Sequence, residues 1–364
     1  APGGGFWSVT RHADVDRVLR EYASFTSERG TLLNLLGTGD PASGRQLAAT
    51  DPPAHDELRA PLQRAMGVRP AESLRPAIRA GVRELLEPGL AGEPFDVAAA
   101  LAGLPLVLAG PLLGLPRADW PRLARLALMC SAEDDPDYQV GGDARATLRH
   151  GHRELFGYFV DLVRQRSRHP GDDLVSLLLA DPDARSGSVV ANCYSLLLGA
   201  AVTLPGVPAA ALLELARRDR YAWWAGRPEL LDGGVEEALR WASPASHFMR
   251  HARRPVRVSG VTIAEGDAVV AWIGSANRDP AVFPRPDEFD PVRQPNRHLA
   301  FGSGHHYCLG SHLARLTLRV FFAELFAACR RVTVVGEPVR VRSAFLSGYK
   351  RLTVALEPNG GRDR

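Results

Sequence analysis

The chain has 364 residues, of which 45% are hydrophobic and 23% charged, the balance of a globular protein with a large buried core. Its formal charge of +3 is too small to suggest a nucleic-acid partner, and Lys350 is its only lysine, so arginine carries the positive charge, as GC-rich codon usage would produce. Cys130, Cys193, Cys308 and Cys329 are scattered, with no CxxC pair and no disulfide framework, which predicts a reducing, cytoplasmic setting.

The opening Ala1-Pro2-Gly3-Gly4-Gly5 runs straight into a folded-looking segment, which leaves room for a piece upstream. Phe6–Arg11 reads as a strand and His12–Glu21 as a helix with Asp14 near its start. Residues 30–50 lack periodicity and read as a loop. Asp51-Pro52-Pro53 stops the chain and restarts it as a helix. Apolar residues at three- and four-residue spacing then predict helices near 54–66, 72–87, 97–114, 118–130, 143–168, 189–217 and 228–241. After Pro244 the texture changes. Residues 255–272 alternate, with turns at Ser259-Gly260 and Glu265-Gly266, and read as strands. The stretch 274–307 is irregular, a helix follows at 309–328, and strands close the chain over 331–357. No repeat or linker divides it, so residues 1–364 are expected to form one domain, mainly α with a smaller β region.

Two uncharged runs, Val97–Pro116 and Val189–Leu213, are long enough to span a bilayer. The first is interrupted by Pro105, Pro111 and Pro116. The second carries Asn192, Ser195, Thr203, Pro205 and Pro208, and neither has a basic flank on one side only. A helix apolar all round also suits the centre of a large non-membrane protein, which is the expectation here.

A long irregular stretch inside a compact protein is usually functional, which directs attention to the segment ending at Phe301-Gly302-Ser303-Gly304-His305-His306-Tyr307-Cys308-Leu309-Gly310. Cys308 lies just before a helix, where the helix start and free amides should lower a thiol's pKa. Gly302 and Gly304 allow a tight, closely approaching backbone, and Gly310 would let a flat ligand lie on the first helical turn. Such a cysteine could be a nucleophile, a metal ligand, a redox thiol or a buried structural residue.

The unbroken pattern Phe-Gly-x-Gly-x-His-x-Cys-x-Gly resembles the haem-binding loop of the cytochromes P450. Further motifs follow the family's order. Glu237-Ala-Leu-Arg240 resembles its Glu-x-x-Arg helix, and Arg293, in Phe289-Asp-Pro-Val-Arg293, stands where a third member is expected. Asp51-Pro-Pro-Ala-His55-x-x-x-Arg59 resembles its third-helix motif. The resemblance covers about residues 6–357. It implies a P450 fold around a buried haem b (iron protoporphyrin IX), with Cys308 as axial ligand favouring oxygen–oxygen cleavage. By the same resemblance Phe301 would pack beside the sulfur, and His55, Arg59, Arg250 and His306 would hold propionates. Glu237, Arg240 and Arg293 would brace the loop.

The central helix departs from the family. The usual Ala/Gly-Gly-x-acid-Thr falls on Gly199-Ala-Ala-Val202-Thr203, so Thr203 is kept and Val202 replaces the acid. Pro205 and Pro208 follow, predicting a kink near Gly199–Thr203. Thr203 could help deliver protons, but the relay lacks a member. Three chemistries follow: monooxygenation with another proton source, oxidative coupling or cyclisation, and peroxide-driven oxidation. A haem-binding protein without turnover is the alternative of another class.

The resemblance implies a pocket formed by Leu33 and Leu36 from the loop at 31–36, by Leu198, Ala201 and Val202, by Ala245, Ser246, His247 and Phe248, and by Phe345 and Leu346. His247 would bond either substrate or backbone. The substrate would be a small organic molecule, possibly carrier-bound, in bacterial secondary metabolism. With no flavin or iron–sulfur motif in the chain, electrons would come from NAD(P)H through separate ferredoxin reductase and ferredoxin proteins. Arg64, Arg69 and Arg319 are candidates for a basic docking face. No membrane or nucleic-acid partner is expected.

Overall fold

The computed structural model describes residues 4–181 and 186–360. Its helices form two packed groups. One joins Arg75–Leu90, Gly206–Arg217, Leu231–Ala242 and Ser311–Ala328 around Ile78, Leu212, Leu239, Phe321 and Phe322. The other joins Leu104–Leu113, Trp120–Ser131, Ala144–Arg168 and Ser186–Thr203 around Leu123, Leu155, Phe159 and Leu197.

Ser186–Arg217 is the one stretch among the described residues long and apolar enough to cross a membrane. It is broken between Thr203 and Gly206, and its two halves belong to different cores. Its apolar surface is therefore used for packing on both sides of the break. The other uncharged run forms two helices, Val97–Leu101 and Leu104–Leu113, rather than one. Ala102-Gly103 separates them, and Asp96 caps the first by accepting from the amides of Ala98 and Ala99. The helix expected over 72–87 is Arg75–Leu90, and a short helix, Val68–Ser73, precedes it.

The main sheet has the order Phe6–Val9, Ala268–Trp272, His247–Ala252, Phe25–Thr26. The first pair is parallel and the others antiparallel. The hairpin Val256–Val258/Val261–Ile263 and the strands Cys329–Val334 and Thr353–Pro358 match the sequence reading. Strand His247–Ala252 was not foreseen. It is interior to the sheet and buried on both faces, so the polar alternation that marks a half-exposed strand is missing. It carries both His247 and Arg250 into the site.

Candidate functional site

The loop before Ser311–Ala328 is shaped by its glycines. Gly302 and Gly304 have φ of +70° and +72°, a region that favours glycine. At Gly304 a Cβ would lie 2.7 Å from Arg20 Cα, so the loop packs on helix His12–Arg20 more closely than a side chain allows. The Cys308 amide donates to the Phe301 carbonyl at 2.9 Å and closes the loop. Gly310 is less constrained by the protein itself, since a Cβ there would meet Cys308 Sγ and Met66 Cε only at 4.0 Å.

Cys308 is exposed, whereas Cys130, Cys193 and Cys329 are buried. Backbone amides of Gly310 and Ser311 bond its sulfur, and Arg59 and Arg315 add positive charge. The sequence predicts a lowered thiol pKa, but the structure gives the opposite sign. Although the residue is reachable from the space before it, the surrounding protein removes most of the sulfur's hydration, and that outweighs the amides and guanidiniums. A thiolate here needs a cation in direct contact, as a coordinated metal provides.

The neighbouring donors are under-used. His55 is fully buried; its Nδ1 lies 2.9 Å from Asp56 Oδ1, and its Nε2 is buried without a hydrogen-bond partner. Arg250 is buried with no ion pair among the described residues, and its Nη1 donates to the Met249 carbonyl at 2.9 Å. Burial pushes its pKa down to about 10, with Asp51 opposing the shift. Arg59 donates to the Tyr307 carbonyl at 2.8 Å. A buried guanidinium without a carboxylate and an imidazole nitrogen without a partner are costly unless an anion completes them. Haem propionates are anions of that kind, so the residues present fit the group.

His306 is more fully engaged. Its Nε2 lies 3.2 Å from Ser27 Oγ and 3.5 Å from Asp51 Oδ1. Burial lowers its pKa to about 4, with Asp51 opposing. Asp51, the first residue of the Asp51-Pro-Pro-Ala-His55 motif, was given no role of its own in the sequence reading, yet it is the hub. Burial would raise its pKa, but hydrogen bonds from His306, Ser27, Thr26 and Arg253 hold the carboxyl well below its ordinary range.

Glu237 and Arg240 are completely buried. Arg240 Nε and Nη2 each reach a Glu237 oxygen at 2.8 Å, and Arg293 Nε lies 3.1 Å from Oε2. The amide of Asp290 and Nδ2 of Asn296 complete the carboxylate's shell at 2.8 and 3.0 Å. Arg240 also donates to the carbonyls of Asn277, Pro286 and Glu288, so one guanidinium fixes three points of the irregular stretch. Nearer the cysteine, Arg315 pairs with Glu236 at 2.7 Å and lies 4.5 Å over the Phe301 ring. No sequence pattern singled out Arg315.

The helix Ser186–Thr203 ends at Thr203. The Leu204 amide reaches the Ala200 carbonyl only at 3.5 Å, and Thr203 Oγ1 donates to the Gly199 carbonyl at 2.6 Å. Pro205 provides no amide for the next turn, which is the physical cause of the break. Val202 is buried, and a Cβ on Gly199 would meet nothing within 4 Å, so this turn borders open space.

The expected pocket residues converge only in part. Ala245 bridges Leu346, and the Ser246 amide donates to the Phe345 carbonyl at 2.8 Å. Phe248 and Phe345 place their rings 6.1 Å apart. Leu198, Ala201, Val202, Phe345 and Leu346 share one apolar cluster. Leu33 and Leu36 pack elsewhere, on Met249, Ala268 and Val270. His247 is 1% exposed, and its Nε2 accepts the Leu33 amide at 3.1 Å, so it ties the loop at 31–36 to the sheet. Of the arginines suggested for docking, Arg64 is exposed, Arg319 is paired with Asp232 at 2.5 Å, and the side chain of Arg69 lies outside the described residues.

Comparison with known proteins agrees with this architecture. The Cytochrome P450 family model matches residues 227–342. The chain is 36% identical to "Putative cytochrome P450 126" of Mycobacterium tuberculosis, covering 97% of this chain and 88% of that protein. It is 33% identical to linalool 8-monooxygenase of Pseudomonas putida, covering 98% and 91%. Among solved structures it resembles P450 OxyD, described as involved in the biosynthesis of vancomycin-type antibiotics, with TM-score 0.87 and 34% identity over 98% of this chain and 92% of that one.

Proposed function

The chain belongs to the cytochrome P450 family, an oxidoreductase family whose members carry haem on a thiolate, and from that premise we propose that Cys308 supplies the thiolate. The observation that carries this reading is the exposed Cys308 in a fold that also leaves His55 Nε2 buried without a partner and Arg250 buried without an ion pair among the described residues. His55, Arg59, Arg250 and His306 would hold the haem's propionates. When bound, the haem supplies oxygen activation for oxidation of a small organic molecule.

The chain's own residues then have separate tasks. The Glu237–Arg240–Arg293 network fixes the backbone leading to Cys308. His247 ties the Leu33 loop to the sheet. Thr203 offers a hydroxyl beside open space, and Val202 offers no carboxylate to feed it. Electrons come from NAD(P)H through a ferredoxin reductase and a ferredoxin, with Arg64 on the docking face. The likeness to OxyD supports a place in bacterial secondary metabolism, and the likeness to linalool 8-monooxygenase supports a small apolar substrate. The setting is cytoplasmic.

A second reading, oxidative coupling or cyclisation, is favoured by the buried Val202 and by the Thr203 hydroxyl turned onto Gly199. The test begins with the carbon monoxide spectrum of the reduced haem-loaded protein, which should be of the thiolate type. Oxygen uptake with NADPH, ferredoxin and reductase then separates the readings. Steady uptake supports monooxygenation. A thiolate spectrum without uptake moves the assignment to coupling or peroxide chemistry, and a spectrum of the neutral-ligand type overturns the role of Cys308.

A further inference from the structure

Beside the haem residues, on the Nδ1 side of His55, stand Asp56 and His305, which have no part in the reading above. His55 Nδ1 lies 2.9 Å from Asp56 Oδ1, and His305 Nδ1 lies 3.7 Å from the same oxygen. One ligand atom from each of the three residues falls within 4.8 Å of the other two. His305 occupies a variable position of the cysteine loop, and Asp56 a variable position between His55 and Arg59, so neither is required by the motifs that place the haem.

We propose that His55, Asp56 and His305 form a binding site for a divalent transition-metal ion of the zinc class. Two imidazole nitrogens and one carboxylate oxygen suit zinc, nickel or copper rather than magnesium or calcium. With metal–ligand bonds of about 2.0–2.1 Å, tetrahedral ligand atoms stand roughly 3.3–3.4 Å apart. The two edges of 2.9 and 3.7 Å bracket that spacing. The remaining edge closes by movement of His305, which is 41% exposed on its side chain, as Asp56 is 58% exposed. His55 is the rigid member, fully buried and packed 4.7 Å from the His306 ring. Tyr22 meets the His305 ring edge-on at 4.7 Å and limits its rotation. The Arg59 guanidinium is the nearby opposing charge, and it is turned to the Tyr307 carbonyl.

Occupation of Nδ1 by a cation leaves the proton of a neutral His55 on Nε2, the buried atom without a partner. The ion would thus orient His55 as a donor toward the cofactor side. The site stands on its three ligands and does not depend on the haem assignment.

The test is equilibrium dialysis of the haem-loaded protein, without a histidine tag, against zinc, with zinc and iron counted separately by elemental analysis. One zinc per chain is expected for the wild type, with binding at least tenfold weaker in both His305→Ala and Asp56→Asn. Iron content and the carbon monoxide spectrum of each variant report whether it has folded with its haem, so a failure there is told apart from loss of zinc. No stoichiometric zinc in the wild type, or unchanged binding in variants that keep their haem, overturns the site.

Discussion

In the irregular stretch that leads to Cys308, one buried carboxylate takes hydrogen bonds from Arg240, Arg293, Asn296 and the Asp290 amide, whereas the central helix breaks after Thr203, whose hydroxyl bonds its own preceding turn. The cysteine side is fixed by a charged network in which both Glu237 oxygens are satisfied, while Asn296 Oδ1 is left buried without a hydrogen-bond partner. The Thr203 side is apolar, interrupted and open beside Gly199. A buried ion pair is weak evidence for net stability, but once built it is expensive to break, so it can hold a loop in one arrangement. The broken helix holds nothing comparable. The difference teaches that this chain specifies where its cofactor ligand sits far more tightly than how protons are supplied.

The sharpest way to break that contrast is at the sulfur. Cys308→Ser should abolish the thiolate-type carbon monoxide spectrum and all oxidation that depends on it, because a hydroxyl neither ionises nor donates charge as a thiolate does. Retention of that spectrum in the variant would place the ligand elsewhere.

Next in size is the brace. Glu237→Gln keeps the shape but leaves Arg240 and Arg293 buried without a counter-charge. A loss of about 3–5 kcal/mol is expected, the usual cost of breaking a buried pair. Denaturant unfolding measures it, and haem content measured in parallel should fall as the loop loosens. A change below about 1 kcal/mol would mean that water enters and solvates the arginines.

The bond between His247 and the Leu33 amide should contribute a pH dependence. Burial lowers His247 to about 4, below the ordinary value of about 6.5 for histidine. The unfolded chain therefore takes up the proton first as pH falls, and stability is lost between about pH 6.5 and 4, saturating near 3 kcal/mol. Above pH 7 the term is constant. Protonation would also turn Nε2 from acceptor to donor and release the Leu33 amide. His306 is lowered as well, so the term is isolated by subtracting the acid profile of His247→Phe from that of the wild type. Parallel profiles would show that His247 takes its proton without opening the loop.

What the sequence made legible follows from where each signal resides. Glu237, Arg240 and Arg293 were readable through the resemblance to the P450 motifs, since their spacing alone is equally that of an exposed pair, and the structure does bring them together. The break after Thr203 was readable because proline removes a specific donor. Asn296, Asn277 and Arg315 were not, since each acts through a contact made only after the irregular stretch has folded. The sign at Cys308 was misread for a related reason. Helix geometry is local and visible in sequence, but the desolvation that outweighs it depends on the whole surrounding fold. His247 fell between its two expected roles until the Leu33 amide appeared opposite its ring.

The smallest effect is expected on the open side. A positioned proton donor contributes about 10²–10⁴-fold to a rate. Thr203 is not positioned in that sense, since its hydroxyl is donated to Gly199 and no carboxylate stands beside it. Thr203→Ala should therefore change oxygen uptake by less than about tenfold, well under that range. Val202→Asp restores the missing acid and sharpens the test. If proton supply limits the reaction, uptake should rise in Val202→Asp, and Thr203→Ala should cost more in that background than alone, a coupling that a double-mutant cycle reads directly. If the two changes are additive, Val202 is no handicap, and the chemistry on this face draws its protons from the substrate or does not need them.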